Sequence, residues 1–442
     1  MHKKPGDYFG TIRHMDQKVF PAKKLLGKIT LPPDKSISHR SALFAAISSE
    51  ISTIQNYSPA ADPQSTLKCL AQLGVGVEKE GQTVTVFGVG RDGLKTPSEP
   101  LDCGNSGTTM RLLAGILAGA GIECEMVGDE SLSSRTMKRI IDPLKKMGCE
   151  ISARDGEYAP LCIGQHHGIT GIRFPLPIAS AQLKSAVLLA GLFSDEPVEV
   201  VENKQSRDHT ERLLQLKSEP YGMGKIIRSS RADRIPAQNY SVPGDFSAAS
   251  FWLVAGSIHA QSSIQLENVG MNPSRIAALK ILEQMGAEIQ PINARMEGKE
   301  PVADLSVEPA KLSSIELDPA FVPNCIDELP ILMVAMCFAE GTSVISGAEE
   351  LRHKETDRLA AMEEILVLSG AEIESRPDGM IIHGKRNFVP EAAVFPSCHD
   401  HRMAMAAAVL ATRSNKISEI KDAECTAISY PEFWTHLQEL YG

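Results

Sequence analysis

The octapeptide LEQMGAEI, Leu282–Ile289, reads as the end of an apolar helix, a glycine that closes it, and the start of an alternating strand. Glycine is the residue that ends a helix in the left-handed conformation at no steric cost. The same construction recurs as LAQLGVGV at Leu70, LKKMGCEI at Leu144 and LVLSGAEI at Leu366, with glycines at 74, 148, 286 and 370. The interval between the middle two is about twice the others, which predicts an eroded copy near LLQLKSEPYGMGKI, and LQELYG ends the chain as a final copy. Six units of about 70 residues follow.

Each unit also carries an earlier helix of small residues that turns directly into a strand. These are SALFAAISSEISTI, MRLLAGILAGAGIECEMV, SAVLLAGLFSDEPVEVV, SFWLVAGSIHAQSSIQL, LMVAMCFAEGTSVIS and MAMAAAVLATRSNKISEI. Ala and Gly on such helices allow the close packing that buried inner helices need. The two features repeat in the same order, so the expected fold is α/β with six βαβαββ units divided into two halves of three. YSVPGDFSAAS, rich in turn residues, is the natural crossing point after the third unit. The expected division is residues 34–245 as one domain and residues 1–33 plus 246–442 as the other.

A chain of 442 residues suits two such domains. Its net charge of −10 argues against a general binder of nucleic acid or anionic membrane, so any anion site must be a local basic pocket in an acidic protein. Nine cysteines without a C-x-x-C pair signal neither a disulfide framework nor a zinc site. The longest apolar stretch, Leu329 to Ala339, is too short to span a bilayer, and MHKKPGDYFG lacks the apolar run of a secretion signal, so a cytoplasmic location is expected.

The polar motifs cluster where the small-residue helices begin. PPDKSISHRSALFAAISSE crowds Lys35, Ser36, Ser38, His39 and Arg40 beside Asp34, a pattern that serves either helix capping or an anion held at a helix N-terminus. DCGNSGTTMRLL brackets Asn105 and Ser106 between Gly104 and Gly107, but matches neither the P-loop nor the dinucleotide fingerprint. GDESLSSRTMKRIIDPL offers Arg135, with Lys138 and Arg139 read as a solvated helix face. PIASAQLKSAVLLAG places Ser180, Gln182 and Lys184 at a helix start, and SRDHTERLL adds Ser206 and Arg207. In the second half, Asp327 and Glu328 precede an apolar helix, where a carboxylate caps or acts as a base. EELRHKETDRL and HDHRMAMAAAVLA then supply Lys354, Glu355, Arg358 and Arg402.

Taken together and in order, DKSISHR, GNSGTTMRLL, SLSSRTMKRIIDPL, ASAQLKSAVLLAGL, SRDHTERLL, VPGDFSAASF, DELPILMVAMCFAEG, ELRHKETDRL and DHRMAMAAAVLA closely resemble the EPSP synthase family of enolpyruvyl transferases. The likeness runs from about residue 28 to the C-terminus. The N-terminal extension to about Lys24 lies outside it and is expected to be loosely packed or disordered. The resemblance implies an inside-out α/β barrel architecture in each domain, with helix N-termini of both domains meeting at a cleft. It implies transfer of the enolpyruvyl group of phosphoenolpyruvate to the 5-hydroxyl of shikimate 3-phosphate, without metal or organic cofactor, by a monomer with small-molecule partners only.

Carried over residue by residue, the resemblance gives Lys35, Ser36, Arg40, Ser180, Gln182, Ser206, Asp327 and Lys354 to shikimate phosphate. It gives Lys35, Gly107, Arg135, Gln182, Arg358 and Arg402 to phosphoenolpyruvate. Asp327 would take the proton of the attacking hydroxyl, Lys354 would assist there, and Glu355 would protonate the enolpyruvyl methylene. Pro33 and Thr136 depart from the family's usual Gly and Pro and put the geometry of two loops in question, Ala181 stands where some members have Ser, and Ile428 replaces a Lys found in some members. Two other readings are a sister enzyme acting on a UDP-linked amino sugar, which needs a Gly-Cys loop absent here, and a non-catalytic paralogue, against which the retained charged residues count.

Overall fold

Six helices of small and apolar residues, Lys35–Ile47, Gly107–Ala120, Ala181–Gly191, Phe246–Ile258, Leu329–Cys337 and His401–Ala411, are buried over most of their length. The computed structural model in which they stand describes residues 15–441. Their composition is explained by how closely they pack. A methyl group on Gly115 would lie 2.4 Å from the carbonyl oxygen of Ala186, and one on Gly119 would lie 2.8 Å from the Cα of Ala190, so backbone meets backbone between two of these helices.

Among the described residues, one sheet accompanies each inner helix. A typical unit runs from the Lys35–Ile47 helix to strand Ile51–Gln55, helix Ala61–Gln72 and the hairpin Gly76–Glu80 and Thr83–Phe87. The hairpin adds antiparallel, and a parallel first strand, Asn239–Ser241, arrives from far along the chain. The N-terminal strand Leu25–Thr30 does the same for the fourth unit, lying parallel to Ser262–Gly270. In the fifth unit the parallel first strand shrinks to single bridges, Ser313 to Glu340 and Glu316 to Val344. The sixth unit ends in helix Phe433–Leu440 with no hairpin of its own, and strand Gln17–Val19 pairs antiparallel with Ser418–Ile420 in its place. The expectation of a loose N-terminal extension is therefore corrected for residues 15–24, whose strand completes a sheet; its first fourteen residues lie outside the described residues.

The glycines that end the outer helices have the left-handed backbone anticipated for them, with φ of 84° at Gly74, 89° at Gly148, 92° at Gly286 and 76° at Gly370. In the eroded copy the same place is taken by exposed Gln215, which ends the His209–Leu214 helix at φ 55°. A side chain at positive φ is strained where glycine is not, so Gln215→Gly is expected to raise stability by up to about 1 kcal/mol in chemical denaturation.

The apolar interior falls into two clusters. One joins Val19 to Leu31 with Phe246 to Leu440; the other runs from Ile37 to Val242. Between them the chain crosses twice, and the crossings bond to each other: Asp34 N–H donates to Pro243 O and Asp245 N–H to Pro32 O, each at 2.8 Å. Both donors lie outside Pro33, whose missing N–H is not called on, so proline fits the bridge it forms with Gly244. Thr136 is likewise accommodated: its hydroxyl donates to Glu157 at 3.0 Å and its carbonyl accepts from Arg111 at 3.3 Å.

Candidate active site

The residues before most of the inner helices cap them, and after Asp34 and Asp400 the next residues bring in Lys35 and Arg402. Asp34 accepts from Ile37 N–H at 2.9 Å, Ser106 from Thr109 N–H at 3.1 Å, Ser180 from Leu183 N–H at 3.4 Å and Asp400 from Arg402 N–H at 2.8 Å. Capping and ligand binding are thus compatible at one helix end, since a serine oxygen accepting from the backbone keeps its proton for another acceptor. Asp327 and Glu328 make no such cap. Glu328 is buried, accepts from Ser247 and faces Arg275 at 3.7 Å.

Asp327 faces cations from both segments of the chain. One carboxylate oxygen lies 2.6 Å from Arg207 Nη2, and the other lies 3.4 Å from Lys354 Nζ and 3.3 Å from Arg358 Nη1. Arg402 donates to its backbone carbonyl at 2.8 Å. Burial alone would raise the Asp327 carboxyl, but the fields of Lys354, Arg402, Arg207 and Arg358 outweigh it and hold the group well below the usual carboxylate range. Glu355 is balanced in the same way: burial pushes it up, and the cations Arg358, Arg135 and Lys354 together hold it far below its ordinary value. Arg358, almost wholly buried, bonds Asp400 at 2.7 Å and Glu355 at 2.5 Å besides Asp327. His401 is buried beside them, and burial pushes its imidazole down to about 3, so it is neutral.

The other half of the candidate set comes from the 34–245 segment. Lys35 pairs with Asp62 at 2.8 Å. Arg40 is buried with Nε on Thr210 at 2.9 Å and Nη2 on Ser185 at 3.0 Å. Gln182 accepts from Arg111 at 2.8 Å and donates to Thr108 at 3.0 Å. Gly107 begins its helix where a methyl group would lie 2.7 Å from Arg111 Nη1 and 3.7 Å from Arg135 Nη1. Arg135 bonds Asn105 at 3.1 Å and lies 3.6 Å from Glu355. Ser206 is buried with its N–H and hydroxyl both donating to Glu202. Bonds and ion pairs therefore link Gln182 to Arg111, and Arg135 through Glu355 and Arg358 to Asp327 and Arg207, with Gly107 placed between Arg111 and Arg135.

Three groups in this set were not singled out as site residues from the sequence. Arg207 had a visible signal, being next to Ser206 in SRDHTERLL. Arg111 and Asp62 had none, because each lies on a helix that reads as amphipathic or apolar and reaches its partner only through the packing. Arg139, read as a solvated face, instead bonds Glu350 of the other half at 2.8 and 3.2 Å. Among the described residues no group of three or more His, Cys, Asp or Glu side chains is placed to hold a metal ion. No helix there is long and apolar enough to cross a membrane.

The family model described as EPSP synthase (3-phosphoshikimate 1-carboxyvinyltransferase) matches residues 19–437. A curated protein of Salinibacter ruber named 3-phosphoshikimate 1-carboxyvinyltransferase is 47% identical over 429 residues, which cover 96% of this chain and 99% of that protein. One of the same name from a Synechococcus strain is 46% identical over 424 residues, covering 94% and 96%. The solved EPSP synthase of Acinetobacter baumannii superposes with a TM-score of 0.86 at 37% identity, covering 96% of this chain and 98% of the other. With fold and sequence in agreement along nearly its whole length, the chain belongs to the EPSP synthase family.

Proposed function

We propose a division of labour among the cleft residues for the reaction of this family. The chain is a transferase of the shikimate pathway that moves the enolpyruvyl group of phosphoenolpyruvate to the 5-hydroxyl of shikimate 3-phosphate and releases phosphate. Lys35, Ser36, Arg40, Ser180, Gln182 and Ser206 hold the phosphorylated acceptor. Lys35, Gly107, Arg135, Gln182, Arg358 and Arg402 surround phosphoenolpyruvate, and Asp327, Lys354 and Glu355 stand at the reacting centre.

The observation that carries this reading is the cage of cations around Asp327, with Arg207 contributed by one half of the chain and Lys354, Arg358 and Arg402 by the other. Two substrates bearing phosphate and carboxylate groups need several fixed cations at once, and arginine matches both groups. In the reaction the acceptor hydroxyl adds to the substituted carbon of the enol phosphate while the methylene carbon gains a proton. Phosphate then leaves as the new methyl group gives a proton up. Asp327 accepts the hydroxyl proton; Glu355 gives a proton to the methylene carbon in the addition and, as the carboxylate, takes one back from the methyl group when phosphate leaves.

The protein's own cations hold both carboxylates below their ordinary values. Bound polyanions draw on the same cations, raise both groups, and bring Glu355 to the protonated form it needs as an acid. Lys354 stays beside Asp327 and neutralises charge developing there. We further infer that residues 34–245 and residues 1–33 plus 246–442 close on the two substrates as units, and that the enzyme acts as a cytoplasmic monomer.

The test is steady-state phosphate release from phosphoenolpyruvate by the purified protein. Release that requires shikimate 3-phosphate supports the reading; release driven by a UDP-linked amino sugar, or none, overturns it. Gly107→Ala refines the assignment. Its methyl would displace the end of Arg111 from Gln182, a movable group rather than backbone. The expected result is a roughly ten-fold higher KM for phosphoenolpyruvate, about 1.4 kcal/mol, with an unchanged melting temperature.

A further inference from the structure

A buried charged node lies behind the proposed acceptor pocket. Lys184 is fully buried, and its Nζ lies 2.8 Å from Glu202 and 2.8 Å from Glu211, both also buried. Lys225, on the neighbouring strand, reaches Glu202 at 3.3 Å and Glu211 at 3.1 Å from the solvent side. Two lysines and two carboxylates make the node neutral, which removes most of the cost of burying it.

Lys184, Glu211 and Glu202 each connect to the pocket residues directly or through one neighbour. Lys184 lies on the helix that begins with Ala181, two residues after Gln182 and four after Ser180. Glu211 follows Thr210, whose hydroxyl holds Arg40 and bonds Ser185 at 2.7 Å. Glu202 ends strand Val198–Glu202, and its Oε1 accepts the N–H of Ser206 at 2.9 Å as well as the Ser206 hydroxyl and Lys184. Ser206 itself has no regular element to hold it, since residues 203–208 connect the strand to the His209–Leu214 helix.

We propose that Glu202, fixed by Lys184, is a positioning residue for the acceptor's phosphate: it anchors Ser206 through its backbone N–H and so sets Ser206 against Ser180, Gln182 and Arg40 as one anion seat. The inference rests on the reading that Ser206 contacts the acceptor. Three donors share the one oxygen of Glu202, and the hydroxyl is the one that rotates without moving the chain. When a phosphate oxygen arrives, the hydroxyl turns to it while the N–H and Lys184 stay on Glu202. The node thus holds the backbone rigid and leaves one proton to be given to the ligand. Glu211 shares both lysines with Glu202 but no bond to Ser206, which separates a positioning role from a merely structural one.

The experiment compares Glu202→Gln, Glu211→Gln and Ser206→Ala in the full chain, reading melting temperature, kcat and the KM of each substrate. Glu202→Gln is expected to raise KM for shikimate 3-phosphate about ten-fold, with KM for phosphoenolpyruvate and kcat within about two-fold. Glu211→Gln should lose similar thermal stability and move the acceptor KM less than about three-fold. Equal acceptor KM values in the two Gln variants would overturn the positioning role. An unchanged acceptor KM in Ser206→Ala would instead overturn the reading of Ser206 on which it rests. Should Glu202→Gln fail to fold, Lys225→Met loosens Glu202 from the solvent side, and an acceptor KM that does not rise in that variant counts against the proposal equally.

Discussion

Replacement of Asp327 by Asn is expected to lower kcat by about a hundred-fold or more while leaving both substrates bound, the loss typical of a positioned acid–base group. The amide cannot take the hydroxyl proton. It also withdraws the negative charge that Arg207, Lys354 and Arg358 share, so these cations remain available to the substrates and the KM values should stay level or fall. The same variant has a signature in stability. The Asp327 carboxyl is held below its unfolded value, so the stability it contributes is present above about pH 4 and is lost as pH falls through the folded value. Asp327→Asn should therefore melt below the wild type at pH 7, with the gap closing in acid. A variant with near-normal kcat would move the base to another residue.

The largest effect on the fold itself is expected at Arg358. Its guanidinium is almost wholly buried and bonds Asp400, Glu355 and Asp327, so Arg358→Met strands three carboxylates around an apolar side chain. Breaking a buried ion pair by removing one partner costs about 3–5 kcal/mol, against about 5–15 kcal/mol for a whole domain. Chemical denaturation should show a loss of that size, with no measurable turnover. Adding Asp400→Asn removes the most deeply buried of the stranded charges and should restore part of the stability but none of the activity. If the single variant were as stable as the wild type, Arg358 would not be the hub that the bonds describe.

The inner helices were legible because close packing leaves a compositional trace. Gly115 and Gly119 face backbone, and only runs of Ala and Gly tolerate that contact. The outer helices were legible through the left-handed residue that ends them, and even the eroded copy kept the geometry when Gln215 replaced glycine. Sheet completion was not legible. That Gln17–Val19 closes the last sheet, and that Asn239–Ser241 begins the first, depends on where distant segments lie in space. The site divides in the same way. Lys35, Arg358 and Arg402 stand in motifs at helix starts, where polar residues before an apolar run draw notice. Asp62, Arg111 and Glu202 act through partners on other elements, and no local pattern marks them. Arg207 falls between, visible beside Ser206 yet defined by its 2.6 Å contact with Asp327 on the other segment of the chain.

The central claim is that residues from both halves of the chain form one site around Asp327. A crystal structure of the Asp327→Asn protein with shikimate 3-phosphate and phosphoenolpyruvate tests it most directly, because the slow variant holds both substrates long enough to be seen. The account predicts the acceptor phosphate on Ser36, Arg40, Ser180 and Ser206, the acceptor's 5-hydroxyl beside residue 327, and phosphoenolpyruvate between Arg135, Arg358 and Arg402. Either substrate lodged elsewhere, or touching residues of one half alone, would contradict it.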